Sequence, residues 1–297
     1  MKVGFIGIGA MGRHMSRHVL EAGYELVVND IRKEAAQEVL SKGARWADTP
    51  QTVARCCEVV LTSLPTPKDV EDVVYGEQGL KAGWKKGDIL VDMSTNSPAV
   101  VRKIAKDAQA RGVEFLDAPV SGGTTGAESR RLSIIVGGKV EVLEKVRKIL
   151  EAIGDVIVHV GDVGCGNIAK LINNMIALGC SQITYEGMVL GAKAGIAVQT
   201  LREVIKNSSG DNWCIQYRLP EIFAGNFEPG FRINLALKDI GLALGMAKEY
   251  AVPTPIGAAV EQQLLEAKAA GWGDKGIQSV ILLLERLAGV EVRAPQP

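Results

Sequence analysis

The chain has 297 residues, of which 47% are hydrophobic and 23% charged, the balance of a globular protein with one large domain or two ordinary ones. Lysine plus arginine and aspartate plus glutamate each number 34, so the net charge is zero and no basic surplus indicates a nucleic-acid partner. The sequence shows neither an uncharged apolar run of membrane-spanning length nor the ordered regions of a signal peptide. We therefore expect a cytoplasmic protein with no membrane partner.

From residue 1 to 162, short apolar runs rich in β-branched residues alternate with amphipathic stretches such as 33–42, 97–111 and 140–152. Several of the runs are continuously apolar, as in strands that are covered on both faces. This alternation predicts an α/β Rossmann-type fold, a doubly wound and mostly parallel sheet, with a dinucleotide-binding domain over 1–162. The runs are "KVGFIGIG", "ELVVND", "EVVLTSLP", "DILVDMS", "VEFLDAPVS", "LSIIVGG" and "VIVHVGD".

Residues 163–297 have a different pattern, which predicts an all-α domain joined to the first by a long helix. We expect helices over 165–195, 198–208, 231–250, 254–271 and 275–289, separated by turn-forming segments, and at most one short strand at "VEVR" near the end. The apolar helices favour a homo-oligomer, for which a dimer and a tetramer fit equally well.

The segment "GIGAMG" follows the first predicted strand and opens a helix, which is the context of a G-x-G-x-x-G dinucleotide loop. Glycines permit the tight turn, the approach of a pyrophosphate to the backbone and close helix–strand packing. Asp30 ends the second predicted strand, where a carboxylate would bind the ribose hydroxyls and repel a 2′-phosphate, so we expect NAD rather than NADP. Arg32 could weaken that preference. The expected cofactor-binding residues here are Gly7, Ile8, Gly9, Ala10, Met11, Gly12 and Asp30.

Later strands should end at the same edge of the sheet, because open α/β sheets bind ligands at the carboxyl ends of their strands. Those ends carry Leu64 and Pro65, Thr95, and the turn Ser121-Gly122-Gly123. Proline, serine and glycine also end strands for purely structural reasons, so these positions alone leave both interpretations open.

Lys170 stands on an otherwise apolar predicted helix, in "GNIAKLINN". Steps of three and four residues from Gly166 trace a small, polar stripe that includes Lys170 and Asn174, which project to the same side. Such a stripe is typical of the wall of a site, although a lysine that only extends to water remains the alternative.

Four motifs in order, "GFIGIGAMGRHM", "DAPVSGG", "GNIAKLINN" and "FRINLALKDIGLAL", resemble those of the β-hydroxyacid dehydrogenase family, which includes 3-hydroxyisobutyrate dehydrogenase, tartronate semialdehyde reductase and 2-(hydroxymethyl)glutarate dehydrogenase. The resemblance runs from residue 1 to about 292. It implies that Lys170 is the catalytic lysine and that Leu64, Pro65 and Thr95 contact the nicotinamide half of the cofactor. It also implies that Lys238 closes the site from the helical domain, and that the substrate contacts are Ser121, Gly122, Gly123 and Asn174.

The expected reaction is hydride transfer between NAD(H) and a small 3-hydroxy carboxylic acid or carboxylate semialdehyde. Lys170 would take the hydroxyl proton when neutral, a state that partial burial and the nearby charges of NAD⁺ and Lys238 favour, and would return it in the reducing direction. Glycine in the Ser121-Gly122-Gly123 turn would let backbone N–H groups approach a carboxylate. The substrate's side group, the physiological direction and the strictness of the cofactor preference stay open.

Three other functions compete with this one. Oxidative decarboxylation of the 6-phosphogluconate type needs a much longer helical domain. Imine reductases of this fold usually lack the lysine, and reduction of a larger keto acid by the same fold stays an alternative. A non-catalytic NAD-binding protein would not need Lys170, Asn174 and the serine–glycine turn together. The five cysteines are odd in number and have no zinc-ligand spacing, and His14 and His18 have no apparent third ligand, so we expect free thiols and no metal.

Overall fold

The computed structural model describes residues 1–294, and the chain divides into two compact units, one formed by residues 1–170 and one by residue 171 onward. Each unit has a buried apolar cluster of its own. The long helix predicted between the two halves begins in the first unit and continues into the second.

A single sheet forms the centre of the first unit, and nine strands belong to it within the described residues. Its order is β3-β2-β1-β4-β5-β6-β8-β7, with β9 paired to β8. The first six strands are parallel to one another, while β8 runs antiparallel to β6 and β7, which confirms the predicted Rossmann-type, mostly parallel fold. The strands are β1 Lys2–Ile6, β2 Glu25–Asn29, β3 Arg45–Trp46, β4 Val59–Thr62, β5 Ile89–Asp92, β6 Glu114–Asp117, β7 Val120–Ser121, β8 Leu132–Gly137 and β9 Gly154–Gly161.

The central strands are buried on both faces because helices cover the sheet on each side. Along β1, Val3 and Phe5 belong to one apolar cluster and Ile6 to another, as the alternation of side chains in a strand requires. Every residue of β4 and β5 is buried, which explains their continuously apolar sequences.

The helices of the first unit begin with local signals that the sequence carries. Pro50 and Pro67 occupy first-turn positions of α3 and α4, where a missing N–H costs nothing. The hydroxyls of Thr49 and Thr66, which precede them, accept hydrogen bonds from the N–H groups of Thr52 and Asp69. The helices are α1 Gly12–Glu21, α2 Gln37–Ser41, α3 Pro50–Cys56, α4 Pro67–Tyr75, α5 Pro98–Gln109, α6 Gly123–Glu128 and α7 Val140–Glu151, with 3₁₀ turns at Lys33–Ala36 and Leu80–Ala82.

The second unit is helical, which confirms the all-α fold predicted for the C-terminal half. Helix α8 spans Cys165–Lys193, 29 residues or roughly 43 Å at 1.5 Å per residue. Tyr185, Leu219, Ile240 and Leu264 are completely buried in the core of this unit. Its other helices are α9 Val198–Lys206, α10 Leu219–Phe223, α11 Ile233–Glu249, α12 Pro255–Ala269 and α13 Ile281–Ala288, with a π-helical turn at Cys214–Arg218 and a 3₁₀ turn at Ile277–Val280.

The prediction of a short strand at "VEVR" is wrong, because residues 290–293 form no strand. Val292 N–H donates instead to the carboxylate of Glu285 at 3.0 Å, and the same carboxylate pairs with Arg293. The backbone donor that a sheet would have satisfied is therefore satisfied by a buried side chain of α13.

Over residues 1–294, no helix is long and apolar enough to cross a bilayer. The same part of the chain holds no group of three or more His, Cys, Asp or Glu side chains placed to bind a metal ion.

Candidate active site

The carboxyl ends of the parallel strands form one edge of the sheet, and the predicted cofactor positions follow them directly. Ile6 pairs with Asn29 and Thr62, and Asp92 pairs with Thr62 and Asp117, so β1, β2, β4, β5 and β6 end level with one another. The strand order reverses between β1 and β4, which places the loop after β1 at the topological switch point where such sheets bind ligands.

The glycine loop after β1 has the geometry that its spacing predicts. Gly7 adopts a φ of +91°, and a Cβ there would overlap the carbonyl oxygen of Ser63. A Cβ on Gly12 would overlap the carbonyl oxygen of Gly7, so this glycine lets α1 begin against the loop. A Cβ on Gly9 would meet nothing within 4 Å. Packing within the protein therefore demands Gly7 and Gly12 but not Gly9, whose missing side chain leaves the backbone open to a ligand.

Asp30 follows β2 and binds the glycine loop through its carboxylate. One oxygen accepts the N–H of Ile8 at 2.7 Å and the other accepts the N–H of Arg32 at 2.8 Å. A carboxylate has about four lone-pair positions, so these two bonds leave it able to accept from hydroxyl groups as well. The structure thus joins the two cofactor features that the sequence picks out 18 to 23 residues apart.

The loops after β4 and β5 are joined by a hydrogen bond. Leu64 N–H donates to Ser94 Oγ at 2.9 Å, next to Thr95. Leu64 and Thr95 are half-buried and Pro65 is exposed. These three predicted contact positions therefore belong to two neighbouring loops at the same edge.

The predicted substrate turn is built from two glycines in backbone conformations that other residues rarely adopt. Gly122 has a φ of +132° and Gly123 a φ of +63°, and both are exposed. Ser121 is held in register opposite Ser133 by the antiparallel pairing of β7 with β8. The turn is thus anchored on the strand side and open where the glycines lie.

Lys170 is buried, with 7% of its surface exposed, in the second turn of α8. The first turn of that helix is attached to the strand-end edge through Asp117, the last residue of β6. The Asp117 carboxylate accepts the N–H of Gly164 at 2.8 Å and the N–H of Asn167 at 2.8 Å. Of the predicted residues, the first unit therefore brings Lys170 to the edge that carries the glycine loop, Asp30, the Thr95 loop and the serine–glycine turn.

Two buried carboxylates, Asp92 and Asp117, end adjacent strands of this edge. Asp92 accepts the hydroxyl of Thr62 at 2.9 Å, the N–H of Ser94 at 3.1 Å and the side-chain amide of Asn96 at 2.9 Å. Burial raises the pKa of both Asp92 and Asp117, although the donors that surround them act in the opposite direction. Because both carboxylates receive only donors, the ionised form fits the hydrogen-bond network.

Asn174 lies one turn beyond Lys170 on α8, as its spacing predicts. Its side-chain N–H donates to Asp239 Oδ2 at 2.6 Å, and the other oxygen of Asp239 pairs with Lys238 Nζ at 3.0 Å. Asp239 is buried, with 3% of its surface exposed. The second unit therefore holds the two predicted residues Asn174 and Lys238 through one carboxylate.

Sequence reasoning missed Asp92, Asp117, Asn167 and Asp239, the polar residues that hold the predicted ones. Each of these is almost completely buried and hydrogen-bonded. A signal was available for three: Asp92 and Asp117 are acidic residues that end otherwise apolar strands, and Asp239 adjoins Lys238 on an apolar helix. Since buried charges are rare without partners, such positions deserve the same weight as the lysine.

A glycine loop at the switch point of a parallel sheet, with an acidic residue directly after the next strand, is typical of a dinucleotide-binding domain. Comparison with known families agrees. Residues 2–161 match the NAD-binding domain of 6-phosphogluconate dehydrogenase, and residues 164–284 match the NAD-binding domain of NADP-dependent 3-hydroxyisobutyrate dehydrogenase.

Individual relatives narrow the class to one family. The chain is 39% identical over 298 residues to 2-(hydroxymethyl)glutarate dehydrogenase of Eubacterium barkeri, covering 100% of this chain and 99% of that protein. It is also 39% identical over 263 residues to 3-hydroxyisobutyrate dehydrogenase of Pseudomonas aeruginosa, covering 86% of this chain and 88% of that one. A structure of Mycobacterium tuberculosis 3-hydroxyisobutyrate dehydrogenase with L-serine superposes with a TM-score of 0.88 at 30% identity, covering 95% and 98% of the two chains. The chain belongs to the β-hydroxyacid dehydrogenase family, as its four motifs predict.

Proposed function

We propose that this chain transfers hydride between NAD(H) and a small 3-hydroxy carboxylic acid, interconverting its primary alcohol with a carboxylate semialdehyde, and that Lys170 moves the proton. The observation that carries the proposal is the burial of Lys170 on a helix whose first turn is hydrogen-bonded to the cofactor edge of the sheet. Buried ionisable groups at a ligand-binding edge are typical of catalytic sites, so the position of Lys170 on this helix favours a chemical role.

The residues present fit a bound dinucleotide, because Gly9 has no packing reason to be glycine and the Asp30 carboxylate lies against the loop. When bound, the nicotinamide accepts or supplies the hydride. Gly7 to Gly12 would hold the pyrophosphate through their backbone, and Asp30 would accept hydrogen bonds from the adenosine ribose. A 2′-phosphate would be repelled by the Asp30 carboxylate, so we propose NAD over NADP.

Lys170 Nζ would act at the substrate oxygen in both directions. In oxidation the neutral amine takes the hydroxyl proton while the carbon loses hydride. In reduction the ammonium gives a proton to the aldehyde oxygen. The low exposure of Lys170 favours direct passage of the proton between the lysine and the substrate.

The substrate carboxylate would bind the backbone N–H groups of the Ser121-Gly122-Gly123 turn. Asn174 would contact the substrate through its second side-chain N–H, because the first donates to Asp239. Asp239 would thus orient Asn174 without touching the substrate, and its pairing with Lys238 ties that predicted cofactor residue to the same carboxylate.

Three of the relatives are named for substrates that share one chemistry. 2-(Hydroxymethyl)glutarate, 3-hydroxyisobutyrate and serine each carry a primary alcohol on the carbon attached to the α-carbon of a carboxylate. We therefore propose this grouping, and not one particular acid, as the substrate of the chain.

The test measures the decay of nicotinamide absorbance with NADH and four aldehydes: tartronate, methylmalonate and succinate semialdehydes and 2-formylglutarate. We expect turnover of at least one of the three aldehydes that give a 3-hydroxy acid; succinate semialdehyde gives a 4-hydroxy acid, and turnover of it alone would contradict the proposed substrate class. Lys170→Ala should lower kcat by about 100- to 10,000-fold, the usual contribution of a general acid. The matched control is Lys148→Ala, because Lys148 is exposed on α7, far along the chain from every predicted site residue. The control should retain the unaltered rate.

Near-normal activity of Lys170→Ala would refute the proton role of Lys170. If none of the aldehydes reacts although NADH binds, the substrate class is wrong; a larger keto or imine substrate, or NAD binding without catalysis, then replaces the proposal.

The expected homo-oligomer stays a prediction. The exposed side chains Ile176, Ile183 and Leu190 on α8 provide an apolar surface that self-association would bury, and sedimentation of the purified chain measures it.

A further inference from the structure

We propose that Asn167 is a positioning residue that couples the Thr95 loop to the helix that carries Lys170, and so aligns the proton-transfer group with the cofactor edge. The proposal rests on the proposed function, because it assigns a role relative to Lys170. Neither the family comparison nor the sequence motifs single out Asn167.

The side chain of Asn167 makes two bonds that differ in direction and strength. Its oxygen accepts the backbone N–H of Asn96 at 2.6 Å, and Asn96 directly follows Thr95. Its amide nitrogen donates to Asp117 Oδ2 at the longer distance of 3.3 Å. Asn167 is completely buried, so a lost bond would leave the Asn96 N–H without water to replace its partner.

These bonds belong to a continuous buried chain within the first unit. Leu64 N–H donates to Ser94 Oγ, Ser94 N–H donates to Asp92, and the Asn96 amide donates to the other oxygen of Asp92. Asn96 N–H then passes the connection to Asn167, whose backbone N–H is bound to Asp117. In this series of hydrogen bonds, Asn167 connects the loops after β4 and β5 to α8.

The first turn of α8 packs tightly against the ends of β6 and β8. A Cβ on Gly166 would lie 2.6 Å from the carbonyl oxygen of Asp117 and 2.7 Å from that of Ile135. Lys170 follows Asn167 by three residues, about 4.5 Å along the axis, so a shift of the first turn moves the lysine with it. A misplacement of about 1 Å can cost 100-fold in rate, which is the scale at which a link of this kind matters.

Asn167→Ala separates the two attachments of the helix. It removes both side-chain bonds of Asn167 but leaves its backbone N–H, and that of Gly164, to bind Asp117. The helix should therefore form and remain anchored to β6 while its register against the Thr95 loop is lost. Asn207→Ala is the matched control, since Asn207 is an exposed asparagine at the end of α9 whose side-chain amide donates to the Glu203 carbonyl at 2.8 Å.

The experiment is a single-turnover measurement of NADH oxidation by the enzyme–NADH complex, freed of unbound NADH, with the aldehyde that the unaltered chain reduces fastest. The absorbance change per mole of protein then counts the active molecules. For Asn167→Ala we expect NADH still to bind and the full absorbance change to occur, with the rate constant lowered by about 10- to 100-fold. The control should match the unaltered chain. A purely structural role predicts the opposite pattern, a smaller amplitude at an unchanged rate, because a fraction of molecules would be unfolded.

An unchanged rate, or a loss confined to amplitude, overturns the inference. If Asn167→Ala does not fold, the nearly isosteric Asn167→Leu, which also removes both side-chain bonds, must show the same slow rate at full amplitude for the inference to stand. Lys170→Ala, measured alongside, keeps the two proposals apart. Turnover retained in that variant overturns both, whereas turnover lost there but normal in Asn167→Ala overturns only this inference.

Discussion

Two glycines of one loop should respond to alanine in opposite ways. Gly12→Ala places a methyl group inside contact distance of the Gly7 carbonyl oxygen, 2.9 Å from the Gly7 carbonyl carbon and 3.2 Å from the Phe5 ring. Two of these three atoms are backbone, so they cannot rotate away. Gly9→Ala places its methyl group where nothing lies within 4 Å, at a φ that any residue can adopt.

The expected changes in stability and in NADH affinity follow from those contacts. Overpacking of this kind costs about 1–3 kcal/mol, and at about 2–4 °C per kcal/mol Gly12→Ala should lower Tm by roughly 2 to 12 °C. Gly9→Ala should leave Tm unchanged or raise it slightly, since alanine reduces the entropy of the unfolded chain by about 0.4–1 kcal/mol. If the backbone at Gly9 contacts the pyrophosphate, the methyl group displaces at least one charge-assisted hydrogen bond. NADH should then bind about 10- to 100-fold more weakly.

Thermal unfolding without cofactor and a fluorescence titration with NADH measure the two effects separately. The reasoning is refuted if Gly9→Ala destabilises the fold as much as Gly12→Ala does. It is also refuted if Gly9→Ala binds NADH as tightly as the unaltered chain, because the backbone at Gly9 would then make no close contact with the cofactor.

The remaining predictions concern cofactor choice and thiol ionisation. Asp30→Asn should lower the preference for NADH over NADPH, measured as the ratio of kcat/KM values, by about 10-fold, because the charge that repels a 2′-phosphate is lost. Asp155→Asn, at an exposed position, is the control. An unchanged ratio in Asp30→Asn would exclude Asp30 as the determinant of cofactor preference. Burial raises the pKa of Cys57 to about 12 and that of Cys214 to about 11, so a thiol reagent at neutral pH should label exposed Cys56 quickly and these two only on unfolding. Both thiols ionise more easily in the unfolded chain, where their pKa is near the ordinary value of 9.0, so the free energy of unfolding should fall as pH rises from about 9 to about 12. If the loss of stability at alkaline pH is the same in Cys57→Ala, this explanation is contradicted.

Much of the fold could be predicted because it depends on local patterns. Continuous apolar runs predicted β1, β4 and β5, since both faces of those strands are covered, and the helical periodicity of residues 165–195 predicted α8 to within two residues. The two-residue strand β3 carries no such pattern, and β7 was predicted only as the end of the run "VEFLDAPVS", which the structure divides into β6 and β7. Strands β3 and β7 exist only because a neighbouring strand offers hydrogen-bond partners.

The strand expected at "VEVR" fails for the same physical reason. Two valines that alternate with charged residues predict an extended segment, but a strand needs a partner, and here the Val292 N–H donates to the Glu285 carboxylate. Local propensity is a weak guide where tertiary partners decide.

For the candidate site, the sequence by itself determined the residues whose chemistry is visible in isolation. The glycine spacing, Asp30, the serine–glycine turn and the out-of-place Lys170 are all unusual against their local surroundings. Their roles are still to be tested by the experiments above, because residue types and their spacing indicate which reactions are chemically feasible but do not show that these reactions occur.

Only the tertiary structure decided which residues hold that set together. Asp117 lies 47 residues before the Gly164 N–H that it binds, and Asn96 lies 71 residues before its partner Asn167, so no pattern along the chain could pair them. Hydrogen bonds of this kind depend on distances of about 3 Å between atoms that meet only when the sheet and α8 are assembled. The sequence names the groups that can react, and the folded chain sets where they stand.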